Sequence, residues 1–341
     1  YAGDDAPCNV IPSAVCLDDD GKLVAGWNAT SYPAAPQRPA LSHSVIADWD
    51  SFACLLDCAF KELNASPAGG RVLIADSPSI TAEHRKRTAE LLFESHGVGS
   101  LFFANQAVMS LFGCGRNAGV VLDCGHTFSY AACVTDGKLC APSLVSSPFG
   151  GDPVTGQLRD MLQANGVDVA GAAMYAQLQR AKHAHCYVAL DAKKEKEDKK
   201  GDSIDFELPD ESTIPIGCER FLAAECLFSP SAAGLQGQGL HDLLAAAISR
   251  SDAKDRAQLA QSVVLAGGTS SLRGLPARLS HEISSRHPSL AKIKIISPAE
   301  SKYLAWMGAS SLASQDLFAD MCVTKEEYSE MGAHAITAKC I

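Results

Sequence analysis

Two glycine turns carry the chemistry that this sequence can do. The first, Asp123-Cys124-Gly125-His126-Thr127, follows directly on the apolar run Val120-Val121-Leu122, and the second, Ala266-Gly267-Gly268-Thr269-Ser270, follows Val263-Val264-Leu265. Strand ends in α/β sheets are where ligands meet exposed backbone N–H groups, and paired glycines let the backbone approach a flat or anionic group closely. A helix expected from about Leu272 would add the positive end of its dipole behind the second turn. A carboxylate at the end of an apolar strand is costly to bury alone, so Asp123 either caps its turn or faces a hydrated cation. Together the turns suit a phosphorylated ligand.

Other constellations are weaker. Neither turn is a P-loop, because no lysine followed by serine or threonine stands at the required spacing. Gly113-Cys114-Gly115-Arg116-Asn117-Ala118-Gly119 has one residue too many for a dinucleotide fingerprint and precedes its strand. His281 and His287 lie six apart, so they cannot share a helical face as residues four apart do. His183 and His185 sit beside Cys186 with no second cluster to complete a metal site. Cys54 and Cys58 read as small core-side residues on a helical face opposite Phe52. No serine occupies a G-x-S-x-G elbow.

The turns need a scaffold, and 341 residues provide for two domains or one large α/β unit. Trp49, Phe52, Leu56, Phe60 and Leu63 recur at helical spacing, and Val72-Leu73-Ile74-Ala75 is an apolar run of strand length. Thr81 to His96 reads as a charged helix, and Leu101-Phe102-Phe103 as another short apolar run. Residues 13 to 42 read as a short hairpin turning at Asp18-Asp19-Asp20-Gly21, followed by a loop in which Pro33, Pro36 and Pro39 block a helix. After Gly119 come a strand at 120–123, a second at 127–134, helical spacing around 158–162 and 172–181, and a charge run at 192–203 read as a solvated loop. Strands at 204–208 and 214–216, a helix at 240–248, a strand at 263–266 and a helix at 272–283 with Pro276 in its first turn complete the series. Strands alternating with helices predict a mostly parallel, helix-covered sheet.

Composition narrows the function classes. Hydrophobic residues make up 47% and charged residues 20%, which is ordinary for a globular protein and excludes wholesale disorder. The net charge of −10 repels nucleic-acid backbones, and the basic run at 193–200 is interleaved with acids and has no aromatic to stack on a base. No window approaches 18 consecutive apolar residues, so no membrane insertion is expected, and the N-terminus does not resemble a secretory signal. The chain opens at Tyr1 without a methionine, and reads as processed or as lacking upstream residues. Thirteen cysteines without a CxxC pair point to a reducing compartment. The sequons at Asn28 and Asn64 are discounted for the same reason.

A resemblance becomes specific along the whole chain. Ala2-Gly3-Asp4-Asp5-Ala6-Pro7, Asn105-Gln106-Ala107-Val108-Met109-Ser110-Leu111, Gly115-Arg116-Asn117-Ala118-Gly119-Val120-Val121-Leu122-Asp123, Cys186-Tyr187-Val188-Ala189-Leu190-Asp191, Glu219-Arg220-Phe221, Lys292-Ile293-Lys294-Ile295-Ile296-Ser297-Pro298 and Lys339-Cys340-Ile341 occur in an order that resembles the actin family. The resemblance implies an α/β, two-lobed actin-like ATPase fold of duplicated ribonuclease-H-like modules, with ATP or ADP and Mg2+ or Ca2+ in a cleft between the lobes. The four parts it implies are 1–12, 40–113 and 304–341 (subdomain 1-like), 13–39 (a shortened subdomain 2-like hairpin), 114–149 and 236–303 (subdomain 3-like) and 150–235 (subdomain 4-like). It assigns Gly267, Gly268 and Thr269 to the adenosine and phosphate side, with Gly125 in the second phosphate turn. Lys182, Lys302 and Tyr303 would flank adenine and ribose. Asp123 would hold waters of the cation's shell, and Gln106 would help place the attacking water.

Departures from the family pattern shape the functional expectation. Where the family has Asp-x-Gly-Asp-Gly, His126 and Thr127 replace the second acid and second glycine. Tyr130 stands where the family has a histidine near the attacking water, and His183 where it has a ribose-contacting glutamate. The first phosphate turn of the family would precede Tyr1. Between Pro12 and Trp49 the chain is about ten residues shorter than actin, which removes the loop that docks into the next filament subunit. The expectation is a divergent actin-like structural or scaffolding subunit, cytoplasmic or cytoskeletal, which retains the nucleotide cleft, with its occupancy by ATP or ADP left open, and has weak or no ATPase. Its partners would be other proteins of a larger assembly or other actin-family subunits. A conventional filament-forming actin ATPase and a small-molecule kinase of the same superfamily are the rival readings.

Overall fold

A computed structural model describes residues 2–32, 35–290 and 292–340. Tyr1, Pro33, Ala34, Ala291 and Ile341 lie outside the described residues, and with them the reading of Pro33 as a helix blocker and the C-terminal match at Ile341. The chain divides into two units, Tyr1–Arg116 with Tyr303–Ile341, and Asn117–Lys302.

The first unit is built on a three-stranded sheet with Ser100–Asn105 at its centre, parallel to Arg71–Asp76 and antiparallel to Val323–Thr324. The central strand is buried at Leu101, Phe102, Phe103 and Ala104, which pack with Leu92, Phe93, Phe318 and Ile336. The helix Trp49–Glu62 starts where Asp48 accepts a hydrogen bond from the Asp50 N–H at 3.2 Å and one from the Ser51 hydroxyl at 2.7 Å. Thr81 caps Ala82–Glu90 through the His84 N–H at 3.2 Å, and the helix continues as a π-helical turn over Leu91–Ser95.

The N-terminal hairpin pairs Val15–Leu17 with Leu23–Ala25, and Asp18 organises its turn by accepting from the N–H groups of Asp20 and Lys22 at 3.1 and 2.8 Å. The stretch read as a loop after it instead contains a one-turn helix, Trp27–Thr30, and a second hairpin, Leu41–Ser42 with Val45–Ile46. That hairpin turns through His43 and Ser44, both left-handed at φ 48° and 64°. The turn chemistry usually announces itself as Asn-Gly, so His-Ser hid it. Cys54 and Cys58 do not oppose Phe52, because all three pack on the cluster of Val15, Ala25 and Ala40. Their thiols point to the carbonyls of Leu23 and Ala25 at 3.7 Å.

In the second unit the sheet runs Val145–Ser147, Ser129–Thr135, Gly119–Cys124, Val263–Ala266, Ile295–Ile296, with Lys138–Leu139 paired to Ser129–Thr135. This sheet is mixed, which corrects the mostly parallel expectation. The connection over residues 125–128 is too short for anything but a hairpin, so Gly119–Cys124 and Ser129–Thr135 are antiparallel. Parallel pairing appears between Gly119–Cys124 and Val263–Ala266, where the chain between them is long enough to cross over. The helices Gly151–Ala164, Ala172–His185, Leu240–Arg250 and Leu275–Arg286 contribute Leu158, Leu162, Leu178, Leu244 and Ile283 to the core against this sheet.

Two further expectations are corrected here. The charge run is not a loop: Ala192–Asp198 is helical, with Asp191 accepting from the N–H groups of Lys193 and Lys194 at 3.0 and 3.1 Å. Glu195 and Lys199 pair across one turn at 2.8 Å, so the mixed charge stabilises a short helix. The helix behind the second glycine turn begins at Leu275, with a 3-10 turn over Gly268–Ser271 first, so its positive end does not abut the glycines. Among the described residues no helix is long and apolar enough to cross a membrane.

Candidate functional site

Backbone register brings the two turns together. Val263 pairs with Val120, Val264 with Val121, Leu265 with Leu122 and Ala266 with Asp123, so both apolar strands end level and their turns emerge side by side. Gly267 is left-handed at φ +84°, and a Cβ there would stand 2.6 Å from Asp123 Oδ1 and overlap the Cys124 carbonyl. Only glycine serves that position. Gly268 differs: its φ is ordinary, and a Cβ would meet just the Lys302 stem, at 3.7 Å. Neither packing nor backbone geometry demands a glycine there, and the bare backbone leaves an approach that a side chain would fill.

A third element, which the sequence reading passed over, closes around the first turn. The Gly125 carbonyl accepts from the Thr269 hydroxyl at 2.7 Å and from the Gly151 N–H at 2.9 Å, while the His126 carbonyl accepts from the Asp152 N–H at 2.8 Å. Gly150 and Gly151 are crowded against Gly125, Thr269 and Lys182, with no space for a Cβ at either. The double glycine in Phe149-Gly150-Gly151-Asp152-Pro153 was the available signal. Lys182 is only 4% exposed, and its ammonium donates to the Gly151 carbonyl at 2.7 Å. The His126 ring lies 3.4 Å from Asp152 Oδ1, which also accepts the Tyr175 hydroxyl at 2.7 Å.

Asp123, Gly125, Lys182, Gly267, Gly268, Thr269 and Lys302 therefore belong to the second unit. Gln106 and Tyr303 belong to the first. Gln106 opens the helix Gln106–Phe112, capped by Asn105 on the Ala107 N–H at 3.0 Å. It lines a cavity of about 240 Å³ with Phe52, Phe103 and the ion pair of Asp76 and Arg85. Tyr303 precedes the helix Leu304–Ala313.

The electrostatics follow from burial. Asp123 is 6% exposed, and desolvation pushes its carboxyl up to about 7. Tyr130 faces it across the strand pair and is raised by burial and then by the Asp123 charge; its hydroxyl has no hydrogen-bond partner among the described residues. Burial pushes the Cys124 thiol up to about 12 against the Ser129 hydroxyl, and Cys186 and Cys226 likewise to about 12, so these thiols are inert. Lys182 is lowered by burial, which Asp152 opposes. His126 is lowered by burial, with Asp152 opposing and Lys182 reinforcing. His183 is lowered by burial and then by Lys182, Lys302 and His126, which places four basic groups around the turns.

A hard divalent cation needs oxygen ligands, directly or through water. Here Asp123 is buried against Gly267, and Asp152 is engaged by Tyr175 and His126. Among the described residues no three His, Cys, Asp or Glu side chains gather as a metal site. The protein side chains here do not by themselves make a site for such a cation. A phosphate-bearing ligand does fit the exposed Gly268 backbone beside Lys302.

The family model for actin matches residues 1–178 and 170–341. Paired glycine turns at the ends of adjacent strands and a match over the whole length lead to one conclusion: this chain belongs to the actin family and has its α/β fold.

Proposed function

We propose that this chain is a structural subunit of an actin-family assembly which holds an adenine nucleotide at its glycine turns and hydrolyses it slowly or not at all. The observation that carries this reading is the closure of the first turn. Its Gly125 N–H is spent on the Phe128 carbonyl at 3.0 Å, its Gly125 and His126 carbonyls hold Thr269, Gly151 and Asp152 against it, and the His126 ring stands on Asp152, where an open phosphate loop would leave N–H donors accessible. Hydrolysis of a phosphoanhydride is mostly positioning and charge stabilisation. Tyr130, raised well above the ordinary tyrosine range, is no proton acceptor at neutral pH, and Lys182 acts as a strut holding Gly151.

Binding is supported by Gly268, whose missing side chain no neighbour requires. A scaffolding role in the cytoplasm or cytoskeleton is supported by the family and by the acidic Asp18-Asp19-Asp20-Gly21 tip, which offers no apolar docking contact to a next subunit. The excess of acids favours partners with basic surfaces.

The test is the nucleotide released when freshly purified protein is denatured, separated and quantified per chain, together with sedimentation in the presence of magnesium and ATP. Unhydrolysed ATP and no pelletable polymer are expected. Stoichiometric ADP with polymer formation would replace this reading with that of a working filament ATPase.

A further inference from the structure

We infer that the nucleotide site takes a free nucleoside polyphosphate whose charge is met by protein cations, without need of a divalent cation. The inference rests on the nucleotide reading above. Charged groups reach the turns from four elements. The hairpin of Gly119–Cys124 and Ser129–Thr135 brings Asp123 and His126, the helix Gly151–Ala164 brings Asp152, the helix Ala172–His185 brings Lys182 and His183, and the turn before Leu304 brings Lys302. Of the two acids, Asp123 is buried beside Gly267, and Asp152 gives its Oδ1 to the Tyr175 hydroxyl beside the His126 ring.

The basic groups are better placed for an anion. An ammonium carries three donors, and the Gly151 carbonyl takes one of those on Lys182. Lys302 runs alongside the bare Gly268 backbone, and His126 and His183 are exposed at the rim. In metal-dependent phosphoryl chemistry the cation bridges phosphate oxygens and neutralises them. At this site Lys182 and Lys302 supply positive charge that disfavours a further cation and makes charge-assisted contacts to phosphate, while His126 and His183, lowered by burial and so largely neutral, offer ring N–H donors.

The experiment uses the full chain stripped of bound nucleotide and titrated with ATP by calorimetry, once with excess magnesium and once with excess EDTA. The dissociation constant in EDTA is expected to lie within about threefold of that in magnesium, a difference under 1 kcal/mol. Weakening by more than about tenfold in EDTA overturns the inference and leaves the nucleotide reading standing. No binding under either condition overturns both. The double substitution His126→Asp with Thr127→Gly, checked for an unchanged melting transition, is expected to create a magnesium preference of about tenfold. A folded double variant that still ignores magnesium would show that His126 is not what excludes the cation.

Discussion

Gly267 and Gly268 are adjacent, yet alanine should affect them in opposite ways. At Gly267 the new Cβ enters a left-handed backbone at φ +84° and overlaps the Cys124 carbonyl and Asp123 Oδ1. The left-handed conformation costs about 1–2 kcal/mol for an L-residue, and forcing extra atoms into a packed site adds about 1–3 kcal/mol. Together Gly267→Ala should destabilise the second unit by about 2–5 kcal/mol. At Gly268 the Cβ meets the Lys302 stem at ordinary contact distance, 3.7 Å, with no backbone strain. Stability should change by less than about 0.5 kcal/mol, as for surface substitutions generally, while affinity for ATP falls. For a unit of this size 1 kcal/mol corresponds to roughly 2–4 °C in melting temperature, so Gly267→Ala should lower the transition by several degrees at least. Trp27, Trp49 and Trp306 all belong to the first unit, so tryptophan fluorescence serves as an internal control beside calorimetry of the whole chain. Equal loss of stability in the two variants would refute the distinction between a packing glycine and a ligand-facing one.

Further expectations follow from buried groups. Arg278 is paired to Glu225 at 2.8 Å and to Glu282 at 2.7 Å, so Arg278→Ala, which leaves Glu282 buried without its main partner, should cost about 3–5 kcal/mol in urea unfolding. Burial raises Glu282, but hydrogen bonds and charge from Arg278 and then Arg286 outweigh it and leave the carboxyl below its ordinary 4.5. Its folded value is the lower one, so its contribution is present above pH 4.5 and is lost as the pH falls further, and Glu282→Gln should flatten the acid limb of a stability profile. Asp123 works in the other direction: its folded value of about 7 exceeds the ordinary 3.8, so the stability of the second unit should fall as pH rises between them. Asp123→Asn should abolish that slope, and a slope unchanged in the variant would place its origin elsewhere. Tyr130→Phe removes a buried hydroxyl that has no hydrogen-bond partner among the described residues and should stabilise by about 1 kcal/mol or more, read as a raised melting temperature.

What the sequence determined by itself was local. The helix Trp49–Glu62, the apolar runs at 72–75, 120–123 and 263–266, the Asp18–Gly21 turn and the two glycine turns were legible because each is written within a few consecutive residues. The family resemblance was legible for the same reason, and the match along the chain bears it out. Short pieces without strong turn residues were missed, such as the His43-Ser44 hairpin and the helix that the charge run forms through pairing and capping.

Tertiary structure alone decided what the site is. Pairing of Ala266 with Asp123 depends on hydrogen bonds between segments far apart in the chain, and that register turns two separate glycine motifs into one site. It separates the role of Gly267 from that of Gly268, recruits Gly150 and Gly151, and sets the His126 ring on Asp152. Propensity and periodicity describe what a segment can become; which carbonyl, carboxylate or ammonium it then meets is settled by backbone pairing across the sheet and by close packing around it.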